Sequence, residues 1–143
     1  MRTISAILLL LLMTCNVPAH PAVSEGAAGF NGLVDEFVNA YLPLHPTTAT
    51  ALGFHQFDAK LEDYSARGNE QVASSLKSYL AKFEAVDRGT LPVDSAADLD
   101  WVKSSIHSEL LEIEDIQPWK KDPDTYSGGV TNGIFVIDRK SVV

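Results

Sequence analysis

The sequence predicts an all-α fold, with three main amphipathic helices plus a short helical turn. Two observations carry this. Apolar residues recur at helical spacing in three separate segments. Proline and glycine punctuate the chain between those segments, where helices must stop.

The chain opens with one positive charge, Arg2, and an apolar run from Ile4 to Met13 that contains Leu8 to Leu12. The run is about half the ~20 residues a membrane-crossing helix needs, so residues 1–19 read as a cleaved signal peptide rather than a span. Val17-Pro18-Ala19 sets small side chains one and three positions before a cut after Ala19, with Ala22 as the second choice. Export to the periplasm or the exterior follows. Cys15 leaves a lipoprotein alternative, in which the cysteine is acylated, although Thr14 is a poor residue before such a cut. With cleavage after Ala19 the mature chain has no cysteine and no disulfide.

Residues 20–29 are small and polar and read as a mobile lead-in. The first helix begins at Phe30. Phe30, Leu33, Val34, Phe37, Val38 and Tyr41 share one face, with Asp35, Glu36 and Asn39 opposite. Pro43 and Pro46 end it. Pro46 suits a first helical turn, so Thr47 to Leu52 reads as a short helical turn closed by a left-handed Gly53. Phe54 to Tyr64 is a loop whose three aromatics, Phe54, Phe57 and Tyr64, should pack back on the core. The second long helix runs from Asn69 to Asp87, on Val72, Leu76, Tyr79, Leu80, Phe83 and Val86, with Gly89 closing it. Ser65 offers an earlier start that Gly68 weakens. The third helix spans Ala96 to Asp115, with Ser95 and Asp98 approximating a capping box. Leu99, Val102, Ile106, Leu110 and Ile113 make its stripe. Trp101 and Leu111 widen that stripe toward burial on two sides. Pro118 stops the helix, Trp119 to Gly129 reads as a loop, and Val130 to Ile137 as either a helix start or a strand.

The net charge of −8 becomes −9 when Arg2 leaves with the signal. Such an acidic chain repels polyanions, so nucleic acid is excluded as a partner. The mature chain of about 120 residues allows at most one domain. Three helices of this size bury a small core, so residues 30–137 read as an incomplete helical domain, the N-terminal part of a larger helical fold.

The last six residues, Asp138-Arg139-Lys140-Ser141-Val142-Val143, are the translation of GAT CGG AAG AGC GTC GTG. That string belongs to a widely used sequencing adapter whose next triplet is a stop. Residues 138–143 therefore read as a non-native tail, without which the mature charge is −10.

Catalytic patterns are missing. The sequence has no H-E-x-x-H, no G-x-S-x-G, no P-loop and no G-x-G-x-x-G. His20 lies beside the cleavage site. His45, between two prolines, reads as exposed. His55 is in the aromatic loop. His107 fails as a metal ligand with Glu109, because positions two apart on a helix face different ways. Glu109, Glu112, Glu114 and Asp115 form an acidic run near the helix end, unfavourable to its dipole, and read as a solvated face or as a contact to another domain or substrate. No catalytic, cofactor-binding or metal residue is assigned.

One resemblance adds to this. Phe37-x-x-x-Tyr41, then His45-Pro46-Thr47-Thr48-Ala49-Thr50-Ala51-Leu52-Gly53, then Asp58 and Asp63-Tyr64-Ser65 resemble the opening of a family of exported bacterial proteins. So do Leu110-Leu111-x-x-Glu114 and Trp119-x-x-Asp122-Pro123-x-x-Tyr126. The family is the domain of unknown function numbered eight hundred eighty-five, and the likeness covers Phe30 to Ile137. The resemblance implies a longer, mostly helical protein similar to zinc metallopeptidases, acting on peptide substrate. Its H-E-x-x-H-like motif lies downstream of the matched region, so zinc is implied for the full-length family and no cofactor for this chain. It also implies packing roles for Trp119 and Tyr126. The expected function is an N-terminal fragment of a secreted metallopeptidase-like hydrolase, itself inactive and poorly stable in isolation. The alternative is a small independent secreted helical binding protein.

Overall fold

The computed structural model describes residues 25–141, and the signal segment and Cys15 lie outside them. Every regular element among the described residues is helical. Helix α1 (Glu25–Tyr41) starts five residues before Phe30, so the second half of the expected lead-in is helix. Ala27 is buried, and the Gly26 backbone lies so close to Thr90 that a Cβ would sit 3.2 Å from its carbonyl oxygen. A 3₁₀ turn (Leu42–Leu44) joins α1 to the short helix α2 (Pro46–Ala51). Gly53 closes α2 with φ of +96°, the left-handed conformation its position predicts.

Helix α3 (Ala66–Glu84) starts three residues earlier than Asn69. Ser65 caps it, with Oγ accepting the Gly68 N–H at 3.1 Å, and Asp63 Oδ1 accepts the Ser65 N–H at 3.0 Å. Gly68 weakens a helix start on propensity, yet it permits this one. A Cβ at that position would collide with the Asp63 carbonyl. The helix ends at Glu84, short of Asp87. Gly89 is no left-handed cap but part of a 3₁₀ turn (Arg88–Thr90), its N–H held by Asp87 Oδ1 at 2.9 Å.

Helix α4 (Val93–Leu110) begins before Ala96, with Pro92 at its cap position, so Ser95 lies inside the helix and forms no capping box. It widens into a π turn (Leu111–Ile116) and stops at Gln117, whose φ of 51° is left-handed. Pro118 then opens a new helix rather than a loop. Helix α5 (Pro118–Lys121) is followed by helix α6 (Asp124–Ser141), which replaces the expected loop at Trp119 to Gly129 and settles Val130 to Ile137 as helix. Helix α6 runs unbroken across Ile137 and Asp138. Its seat depends on two glycines four apart. A Cβ on Gly129 would lie 2.6 Å from the Tyr64 ring, and one on Gly133 2.8 Å from Leu61 Cδ2. Missing side chains on one face let α6 lie against α2 and the 61–64 segment.

Helices α1, α3 and α4 enclose the core: Phe30, Ala73, Leu76, Phe83, Leu99, Val102, Ile106 and Leu110, all but Ala73 members of the predicted stripes. Phe83 is fully buried and meets Phe37 edge to face at 5.6 Å and Phe30 at 6.3 Å. Truncating such a side chain to alanine costs about 3–5 kcal/mol. The predicted double-sided burial of the third helix fails. Trp101 is 72% exposed and Leu111 51% exposed, because no described element covers that face. Ile134 and Phe135 of α6 are also more than half exposed. No helix among the described residues is long and apolar enough to cross a membrane.

Candidate functional site

The polar residues that converge do so where α1 ends, α2 begins and α4 widens. A residue before proline is pushed out of the helical region, and His45, before Pro46, has φ −125° and ψ 62°. This bend turns its ring inward. The imidazole stacks on Tyr41, one helical turn back, with centroids 3.9 Å apart and planes 17° apart. His45 therefore lies under cover, its side chain only 17% exposed, which corrects the reading of an exposed histidine.

Glu109 reaches this pair from α4. Its Oε1 lies 3.2 Å from His45 Nε2, and its Oε2 accepts the Tyr41 hydroxyl at 3.3 Å. The imidazole contact is close but poorly aligned, so Nε2 gains proximity to charge without a well-formed hydrogen bond. Burial, and next the Glu109 carboxylate, push the Tyr41 phenol well above its ordinary range. Tyr41 thus stays protonated and donates.

Glu62 is the second carboxylate. Its Oε1 accepts from the backbone N–H and hydroxyl of Thr47, one of the otherwise unpaired amides in the first turn of α2. Its Oε2 is shielded and has no hydrogen-bond partner. Tyr64 is pushed upward by burial and by the Glu62 charge.

The far wall comes from the π turn and α5. The widened turn lets Gln117 N–H reach the Glu112 carbonyl at 2.9 Å. The Trp119 indole N–H takes the Ile113 carbonyl at 3.0 Å, and Lys121 Nζ takes that of Ile116 at 2.7 Å. Tyr126 is 42% exposed yet ties α6 to α5 through its hydroxyl, which donates to the Trp119 carbonyl at 2.9 Å. Together these elements line a half-open cavity of about 190 Å³. Glu62, Asp63, Glu109 and Glu112 supply its carboxylates, His45 its imidazole, and Leu44, Val72, Ile113, Pro118 and Trp119 its apolar wall.

The acidic run at the end of the third helix is therefore not one surface. Glu109 and Glu112 face the cavity, while Glu114 pairs with Lys77 at 2.6 Å on the outside. His107 is exposed, and the imidazole beside Glu109 is His45, 64 positions earlier by residue number. Glu62 and Tyr41 carried no signal as a polar pair in the sequence. Tyr41 and His45 four apart at a proline-bounded helix end was the one legible hint.

The donors present do not fit zinc. One imidazole serves the cavity and already abuts Glu109, and among the described residues no three His, Cys, Asp or Glu converge closely enough to hold a metal. The chain matches no family profile, no curated protein and no solved structure.

Proposed function

We propose that the chain is the N-terminal helical part of an exported metallopeptidase-like hydrolase, and that its own helices wall the protein rather than perform its chemistry. The observation that carries this reading is the uncovered apolar face. Trp101 and Leu111, each more than half exposed, leave large apolar surface along α4 and the π turn that continues it, whose other face is packed. Such surface asks for further helices. The hydrolase class rests on the likeness of residues 30–137 to the metallopeptidase-like family. In its favour, Tyr41, His45, Asp63, Tyr64 and Trp119, which carry that likeness, surround or support one cavity. Zinc belongs to sequence beyond these residues, and peptide is its substrate class. Export rests on the charge and apolar run of residues 1–19.

The cavity favours a second, narrower role in binding. At about 190 Å³ it is smaller than the ~300–1,000 Å³ usual for small-molecule sites, but it has convergent polar groups.

The test is to recover the gene from source DNA and express the longer reading frame. An H-E-x-x-H-type motif downstream, with peptide hydrolysis abolished by a chelator, is the expected result; the present chain should be inactive under the same conditions. A genuine stop codon directly after that of Val143 would sink the proposal. Mass spectrometry of the mature N-terminus distinguishes cleavage after Ala19 from lipidation of Cys15.

A further inference from the structure

The cavity between the α1–α2 junction, α3, the end of α4 and α5 has an unbalanced charge. Four carboxylates line it, and its lining contains no lysine or arginine. The only imidazole there is pressed against Glu109 without a well-aligned hydrogen bond, and Glu62 keeps one shielded oxygen unpartnered. Tyr41 donates its one hydroxyl hydrogen bond to Glu109. Lys120 lies over the Trp119 ring at 4.6 Å and Arg67 acts on Asp63, and neither is part of the lining.

We propose that this cavity binds a single organic cation with an apolar stem: an alkylammonium or guanidinium, as carried by a lysine or arginine side chain or by a free diamine. Size, charge and wall chemistry agree on this class. At ~30 Å³ per water-sized group, 190 Å³ holds about six such groups. A lysine side chain has five heavy atoms and an arginine side chain seven, whereas a dinucleotide or a second helix does not fit. An anion would meet Glu62, Glu109 and Glu112, which no lysine or arginine of the lining offsets. A neutral apolar ligand would leave those carboxylates with water displaced and nothing gained. A cation with a stem gives each wall a partner: the head takes a carboxylate of the lining, Glu109 beside His45 being the most sheltered by the stacked Tyr41–His45 pair, and the methylenes lie along Val72, Ile113 and Trp119. Aromatic faces beside the carboxylates add attraction for a positive head. The inference stands on this cavity alone and holds whether or not the longer protein is a hydrolase.

The test uses the purified chain carrying Trp101→Phe, so that the fluorescence of Trp119, at the cavity wall, is read alone. The probes are Nα-acetyl-lysine methylamide, its norleucine counterpart, its glutamate counterpart and cadaverine. A saturable signal with the lysine probe is expected at a dissociation constant on the order of 1 mM, the range for so small a ligand. It should weaken as salt is added. Glu109→Gln should weaken it about tenfold or more, the loss of one charge-assisted hydrogen bond. Glu112 is exposed at the rim, so Glu112→Gln leaves the packing alone and should weaken binding several-fold even if the Glu109 variant fails to fold. Circular dichroism of each variant checks its helicity. Cadaverine binding as well as the lysine probe supports a free amine, and binding of the lysine probe alone supports a peptide side chain. Equal response to the lysine and norleucine probes, no saturable response to either cation, or undiminished binding by a folded Glu109→Gln would overturn the proposal.

Discussion

Gly128 and Gly129 are neighbours on α6, and replacing each by alanine should move stability in opposite directions. In a helix interior alanine is favoured over glycine by about 0.8–1 kcal/mol. Nothing lies within 4 Å of a Cβ built on Gly128, so Gly128→Ala should collect that gain. A Cβ on Gly129 would lie 2.6 Å from Tyr64 Cζ and Oη and 2.9 Å from Cε2. The obstacle is a rigid ring rather than the end of a flexible side chain, and overpacking of this kind costs about 1–3 kcal/mol. Because the propensity gain is common to both variants, their difference isolates that cost. At about 3–6 °C per kcal/mol for a domain near this size, Gly129→Ala should melt at least ~3 °C below Gly128→Ala. Thermal and urea unfolding followed by far-ultraviolet circular dichroism measures both. If Gly129→Ala were as stable as Gly128→Ala, α6 would not be seated on Tyr64 by its glycine face, and the account of that helix would be wrong.

Two further expectations follow from buried groups. Thr50 is fully buried and its hydroxyl has no hydrogen-bond partner, so Thr50→Val should stabilise by about 1 kcal/mol in urea unfolding, and a loss would mean that the hydroxyl is bonded. Tyr41 has its phenol raised by burial and by Glu109, so folding favours its protonated form. Its contribution is fully present below the unfolded value near pH ~10 and is lost as pH rises beyond that toward the higher folded value. Stability should therefore fall above about pH 10, and Tyr41→Phe should flatten that fall.

The three long stripes were legible because burial and helical period coincide in them: Phe30, Leu76, Phe83, Leu99 and Ile106 are all buried in the core. The ends were less so. Helix α3 starts at Ala66 because Asp63 and Ser65 satisfy its first amides around a glycine, an arrangement whose geometry outweighs glycine's poor propensity. Helix α6 was hidden for the same reason. Ser127-Gly128-Gly129 has the composition of a turn, and its use in close helix packing depends on what lies opposite. Trp101 misled in the other direction, since period says which face a residue occupies and not whether anything covers it. Of the cavity, the sequence offered an acidic run and a histidine beside proline as separate features. Their meeting depends on the bend at Pro46 and on the approach of α4 to α1, neither of which any local pattern encodes.

The link from Tyr41 to Glu109 spans 68 positions of chain, with α3 and all of α4 up to that glutamate in between. Loop-closure entropy opposes so distant a contact until the intervening helices have folded back on one another. The α3–α4 pair is joined by a short connection and can dock by itself, whereas the cavity needs the α1–α2 junction, α5 and the 62–64 segment in position against that pair. Its walls therefore come together late in folding and part early in unfolding, which makes Trp119 a reporter on completion of the fold as well as on its occupant.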